Sequence, residues 1–173
     1  MATRRQFIKA GIAGAALLAA ARFLDRPLAA PVNSYRLLDE RSERIVRALV
    51  PVVLEGWLPA DSDAQARIIG EVVAGFDHGA SILGRPAQEE LGELLSFLDF
   101  PPTRIAFAGL WQPVAESTAE ELRAFLARWR DSRFELQQAS YQALTQLILA
   151  AWYDRPATWP AIGYPGPPKL DAS

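Results

Sequence analysis

The 173-residue sequence contains no cysteine and one histidine, His78. The first absence excludes disulfides, thiolate zinc sites, iron–sulfur ligation and covalent haem attachment, all of which need cysteine sulfur. The second excludes any site built on two imidazoles and leaves His78 as the sole centre for a Ser-His-Asp type of arrangement. Strand signals are missing too: no segment alternates with period two, no Asn-Gly or Asp-Gly hairpin dipeptide occurs, and there is no internal repeat. Gly11-Ile12-Ala13-Gly14 and Gly163-Tyr164-Pro165-Gly166 are the glycine clusters, and neither fits a Walker or dinucleotide fingerprint.

What is present begins at the N-terminus. Arg4, Arg5 and Lys9 precede Ala10 to Ala21, a run of 12 residues containing only Ala, Gly, Ile and Leu. As a helix this run spans roughly 18 Å, short of a hydrocarbon core of about 30 Å, so it reads as an export signal rather than an anchor. Thr3-Arg4-Arg5-Gln6-Phe7-Ile8-Lys9 resembles the twin-arginine translocation signal, Ser/Thr-Arg-Arg-x-Phe-Leu-Lys, with Ile8 at the Leu position. Ala19-Ala20-Ala21 and Leu28-Ala29-Ala30 are the two cleavage candidates, and an uncleaved N-terminus is the alternative. The expected organisation is an export signal over 1–30, a helical domain over 31–153 and an extended tail over 154–173.

Of 18 basic and 20 acidic residues, five and one fall within 1–30, leaving 13 and 19 and a net charge of −6. That balance argues against a nucleic-acid partner, which needs Lys and Arg to displace counterions, and against adsorption to an anionic membrane.

Along the domain, apolar residues recur at helical spacing. Ile45, Leu49, Val52 and Val53 mark a first helix within 33–57, kinked or split by Pro51. Asp61 or Ser62 caps a second bearing Ile68, Ile69, Val72, Val73 and Phe76, which should fade near Gly79. Pro86 opens a third, striped with Leu91, Leu94, Leu95 and Leu98 and ended by Pro101-Pro102. A short helix over 104–110 follows, then Ser117 and Glu120 as a capping box for a helix with Leu122, Phe125, Leu126 and Trp129. Residues 133–153 form the longest periodic segment, with Phe134, Gln137, Tyr141, Leu144, Ile148 and Trp152 along one side and Leu147 and Ala151 widening it. The expectation is an all-α bundle of about five or six helices with an extended Pro/Gly/aromatic C-terminal tail.

Chemistry is sparse. His78 reads as a C-terminal helix residue favoured by the dipole, with a catalytic base beside Asp77 as the minor alternative. Asp61 and Asp63 lack the regular oxygen ligands of a calcium loop. Glu89, Glu90 and Glu93 read as a solvated helix face. No residue is assigned a catalytic, cofactor-binding or metal-binding role. The tail is different: Trp159, Ile162 and Tyr164 among Pro156, Pro160, Pro165, Pro167 and Pro168 are costly to leave in water. It either packs along its own domain or is laid into another protein, for which a polyproline-like segment is suited. Trp152, Tyr153, Trp159, Ile162, Tyr164, Pro165, Pro167 and Pro168 are the expected partner-binding residues, and Thr3, Arg4, Arg5, Phe7, Ile8 and Lys9 the export signal.

The export signal, the cysteine-free helical pattern, Trp57-Leu58-Pro59-Ala60-Asp61, and Trp152-Tyr153-Asp154 running into Trp159-Pro160-Ala161-Ile162-Gly163-Tyr164-Pro165-Gly166-Pro167-Pro168 resemble the small, third subunit of gluconate 2-dehydrogenase and related membrane-bound flavin dehydrogenases. The resemblance implies a noncatalytic, all-α periplasmic accessory subunit, membrane-associated through its complex or through an uncleaved signal. It implies no cofactor on this chain, FAD on a glucose-methanol-choline class partner, a multihaem cytochrome c as a further partner, and passage of the flavoprotein through the twin-arginine translocase on this chain's signal. The alternative is an independent periplasmic helical binding protein whose tail latches its own bundle.

Overall fold

The computed structural model describes residues 35–159. Six α-helices follow in order: α1 Glu40–Val53, α2 Ser62–Ser81, α3 Arg85–Asp99, the single turn α4 Pro101–Thr103, α5 Ala119–Arg130 and α6 Glu135–Tyr153, with no strand among the described residues. The all-α bundle expected from the periodicity is therefore the observed fold.

Local chemistry sets most boundaries. The Asp39 carboxylate accepts from the Ser42 N–H at 2.8 Å and starts α1, while Asp61 accepts from the Ala64 N–H at 2.7 Å and starts α2. Pro51 neither splits nor ends α1; it lies in the last turn, where a missing N–H removes a single bond. Pro86 lies in the first turn of α3, whose N-cap is Gly84. α2 ends at Ser81, near Gly79 as expected, and Gly79 itself is helical where it faces Leu147 of α6. One expectation needs correction. The capping box of α5 is Thr118 with Glu121, not Ser117 with Glu120. A 3-10 turn over Val114–Glu116 buries Val114 and draws the Ser117 hydroxyl back to the Pro113 carbonyl at 3.1 Å, which starts the helix one residue later.

α2 and α6 form the main antiparallel pair. Glu71 meets Arg155 at 2.6 Å, Gly75 faces Ala151 and Gly79 faces Leu147. A Cβ on Gly75 would stand 2.9 Å from the Ala151 Cβ, so the close approach of the two helices requires glycine there. α1 crosses behind, its Val46, Leu49 and Val50 packed with Val72, Val73 and Phe76 of α2, Leu91, Leu95 and Leu98 of α3, and Phe125 of α5 in one buried cluster. Burial of such side chains, each worth about 1.5–3 kcal/mol, is what holds a helical bundle together. α3 and α6 are both seated on this core but do not pack along one another, which leaves a gap between them.

Candidate protein-binding groove

The gap is an apolar groove of about 520 Å³. Ala87, Leu91, Leu94 and Phe97 of α3 form one wall; Leu136, Ala139, Ser140, Ala143 and Leu147 of α6 form the other. Leu83 lies at one end, Phe107 and Trp129 at the opposite one. The Ser140 hydroxyl donates to the Leu136 carbonyl at 2.7 Å, so even this polar wall residue turns its hydrogen bond inward. Glu90 and Glu93 stand on the α3 lip and have no ion-pair partner among the described residues, whereas neighbouring Glu89 pairs with Arg85 at 3.0 Å. The α6 wall explains why that helix is apolar beyond its core stripe: Leu144, Ile148 and Trp152 face the bundle, and Leu136, Ala139 and Ala143 form a second, exposed stripe.

The end of the groove is built on irregular backbone. After α4 the chain makes a π-helical turn, Arg104–Ala108, closed by Gly109 at φ 65°. Such turns leave carbonyls displaced from the helical ladder; here the Arg104 and Ile105 carbonyls accept from backbone N–H groups of Gly109 and Leu110, and those of Phe107 and Ala108 are met by side chains. The Phe107 carbonyl accepts from Trp129 Nε1 at 3.0 Å and Gln137 Nε2 at 3.1 Å; the Ala108 carbonyl accepts from Arg128 Nη2 at 2.6 Å. Buried Arg104 donates to the carbonyls of Asp99 at 2.8 Å and of Leu110 and Trp111 at 3.4 Å. Gly109 suits both its positive φ and the closeness of Arg128, whose Nη2 would lie 2.9 Å from a Cβ. The result is a braced loop that holds Phe107 53% and Trp111 80% exposed. Ile82, Phe134 and Leu136 are also exposed. Large apolar side chains held on a fixed backbone beside a groove are the anatomy of a protein-binding surface.

A second device lies at the C-terminal end of α2. The Asp77 carboxylate, 3% exposed, accepts from three successive backbone N–H groups: Arg36 at 2.7 Å, Leu37 at 2.9 Å and Leu38 at 2.9 Å. Three consecutive amides converging on one anion form an anion-binding concavity, and here it fixes where residues 1–34 join the bundle. His78, exposed in the last turn of α2, places Nδ1 3.3 Å from Arg36 Nη1, and neither it nor Asp77 lines the groove. At the end of α5, Arg130 binds Asp131 through two hydrogen bonds of 2.9 and 3.0 Å, which hold the Asp131 carboxyl below its usual range and raise Arg130.

Of the expected partner-binding residues, the structure brings three together. Trp152 is 6% exposed; its ring packs edge-on to Trp57 at 6.4 Å under the Arg155 guanidinium, and its Nε1 has no acceptor among the described residues. It belongs to the bundle interior, so the surface of this region is carried by Tyr153, which meets Trp57 at 6.2 Å, and by Trp159, whose Nε1 donates to the Tyr153 carbonyl at 2.9 Å. This cluster lies past Leu147, at the far end of α6 from the braced loop. Ile162, Tyr164, Pro165, Pro167 and Pro168, and the signal residues Thr3, Arg4, Arg5, Phe7, Ile8 and Lys9, lie outside the described residues. No group of three or more acidic or histidine side chains that could hold a metal occurs among the described residues.

Sequence reasoning missed the groove. Its signal was the excess of apolar positions on α6, Leu136, Ala139 and Ala143 in addition to the core stripe. No family model, curated protein or solved structure matches the chain.

Proposed function

We propose that this chain is a noncatalytic accessory subunit of a flavin-dependent dehydrogenase, binding the FAD-containing subunit and carrying it through the twin-arginine export route into the periplasm. The observation that supports it best is the exposed apolar face formed by the groove and the braced Phe107–Trp111 loop. A monomer gains nothing from ordering such a face with five side-chain hydrogen bonds to loop carbonyls and leaving it in water. The sequence supplies the other half of the reading, a signal resembling the twin-arginine type on a chain without thiol or paired imidazole. A flavoprotein that folds around its cofactor needs a route for folded proteins, and one signal on a tightly bound companion serves both chains. A multihaem cytochrome c subunit completes such a complex.

The physical requirement is a lasting interface, on the order of 1,600 Å² of buried surface or more. The exposed rings at positions 107 and 111 serve as anchors, the groove between α3 and α6 as the recess beside them, and the tail from Trp159 onward as a further strap. A second reading, an independent periplasmic helical protein, is favoured by one observation: Thr158 is buried, and Trp159 folds back on Tyr153, so the tail begins by latching its own bundle.

Purification of the tagged full chain from periplasm separates the two. Retention of a yellow flavoprotein, lost in Ala143→Arg protein of unchanged helicity, is the expected result. A monomer free of flavin from cells that make the flavoprotein would overturn it. Replacing Arg4→Lys together with Arg5→Lys should retain both proteins in the cytoplasm, and normal export of the flavoprotein would refute the carrier role.

A further inference from the structure

We propose that, before a partner is bound, the groove between α3 and α6 is filled by the chain's own N-terminal apolar segment, residues 8–22. Four independent features match. The first is position: Asp77 holds Arg36–Leu38 against α2 only two residues before Gly79, which faces the groove residue Leu147, and the chain beyond α2 supplies Leu83 at the groove end. The twelve residues 23–34 reach up to about 40 Å when extended, so the tether spans the groove in either direction.

The second is length. Ala87 to Phe97 and Leu136 to Leu147 give walls of about 15 and 16 Å, and the run Ala10–Ala21 in helical form is about 18 Å long. The third is shape: Gly11, Gly14 and the surrounding alanines permit close backbone approach to the small residues Ala139, Ser140 and Ala143, while Ile12, Leu17 and Leu18 supply bulk for Leu91, Leu94 and Phe97. The fourth is charge. Lys9 and Arg22 flank the run, with Arg4 and Arg5 beyond, and Glu90 and Glu93 on the lip have no cation among the described residues.

Tethering makes even a weak contact effective, because a short tether sets a local concentration in the millimolar range. The segment covers an apolar face that would otherwise associate with other chains, and it keeps the arginine pair against the bundle. In the accessory-subunit reading, on which this last step alone rests, a flavoprotein docking on the same face releases the signal, so that an empty carrier is not exported.

The absence of cysteine permits a direct test. Leu17→Cys is paired in turn with Ala139→Cys, with Ala143→Cys and, as control, with Asp63→Cys in the first turn of α2, all in the full unprocessed chain without flavoprotein. On mild oxidation the groove pairs should give an intramolecular disulfide in monomeric protein at least fivefold more abundant than the control pair, and Leu94→Arg should reduce it to the control level. Equal yields from all pairs would overturn the proposal, as would disulfide-linked dimers, which assign the groove to a second copy. Because no flavoprotein is present, the result stands apart from the accessory role; a disulfide yield unchanged by added flavoprotein would refute the release step alone.

Discussion

Removing the Asp77 carboxylate should loosen the junction between the N-terminal segment and the bundle. Its two oxygens accept three backbone N–H groups, and one of them, on Leu38, is buried. Hydrogen bonds to a charged group contribute about 1.5–3 kcal/mol each, and a buried donor left unpaired costs about 1–3 kcal/mol. Asp77→Asn keeps one oxygen for Leu37 and Leu38 but turns an NH₂ toward the Arg36 N–H, so one bond is lost, about 2 kcal/mol. Asp77→Ala loses all three, and with partial rehydration of Arg36 and Leu37 the loss should be about 4 kcal/mol. For a domain of this size 1 kcal/mol is about 4 °C, giving falls in Tm of about 8 °C and 16 °C. Hydrogen exchange supplies the local readout: amide 36 should lose protection in Asp77→Asn and amides 36–38 in Asp77→Ala, while those of Val72, Val73, Leu144 and Ile148 keep theirs. A Tm within 2 °C of the wild type, with amides 36–38 still protected, would refute the reasoning.

Other substitutions probe the remaining devices. Gly75→Val forces α2 away from Ala151 and should destabilise by about 1–3 kcal/mol in chemical denaturation; an unchanged midpoint would show that the pair can separate freely. Thr118→Ala removes the capping box of α5 and should cost about 1 kcal/mol by the same assay, whereas Ser117→Ala should cost clearly less. Trp111→Ala should leave stability within about 0.5 kcal/mol yet weaken capture of the flavoprotein roughly 30-fold, the loss expected of a hot-spot ring, read by pull-down titration.

Periodicity alone located α1, α2, α3, α5 and α6, because their buried residues recur at helical spacing and their starts carry Asp61, Pro86 or a Thr/Ser-x-x-Glu pattern. The capping register of α5 was not legible, since Ser117 and Thr118 both have a glutamate three residues on; the 3-10 turn before them decides. Nor was the π-helical turn, whose Phe107 and Ala108 carbonyls are satisfied by Arg128, Trp129 and Gln137, 20 to 30 residues away. Asp77 drew notice only as a neighbour of His78, because its partners are backbone amides about 40 residues earlier, to which composition is blind. For the groove, the pattern on α6 announced two apolar stripes but not which of them would lack a helix to cover it.

The pairing of α2 with α6 also sets a clock. Gly75 and Ala151 are 76 positions apart, so the core stays open, and the groove lacks its second wall, until the last long helix has been synthesised. At about 5–20 residues per second, the roughly 120 residues separating the N-terminal segment from Tyr153 take about 6 to 25 s to make. Throughout that interval the N-terminus has left the ribosome ahead of the surface it would rest on, and anything that reads it then reads it before the domain has folded.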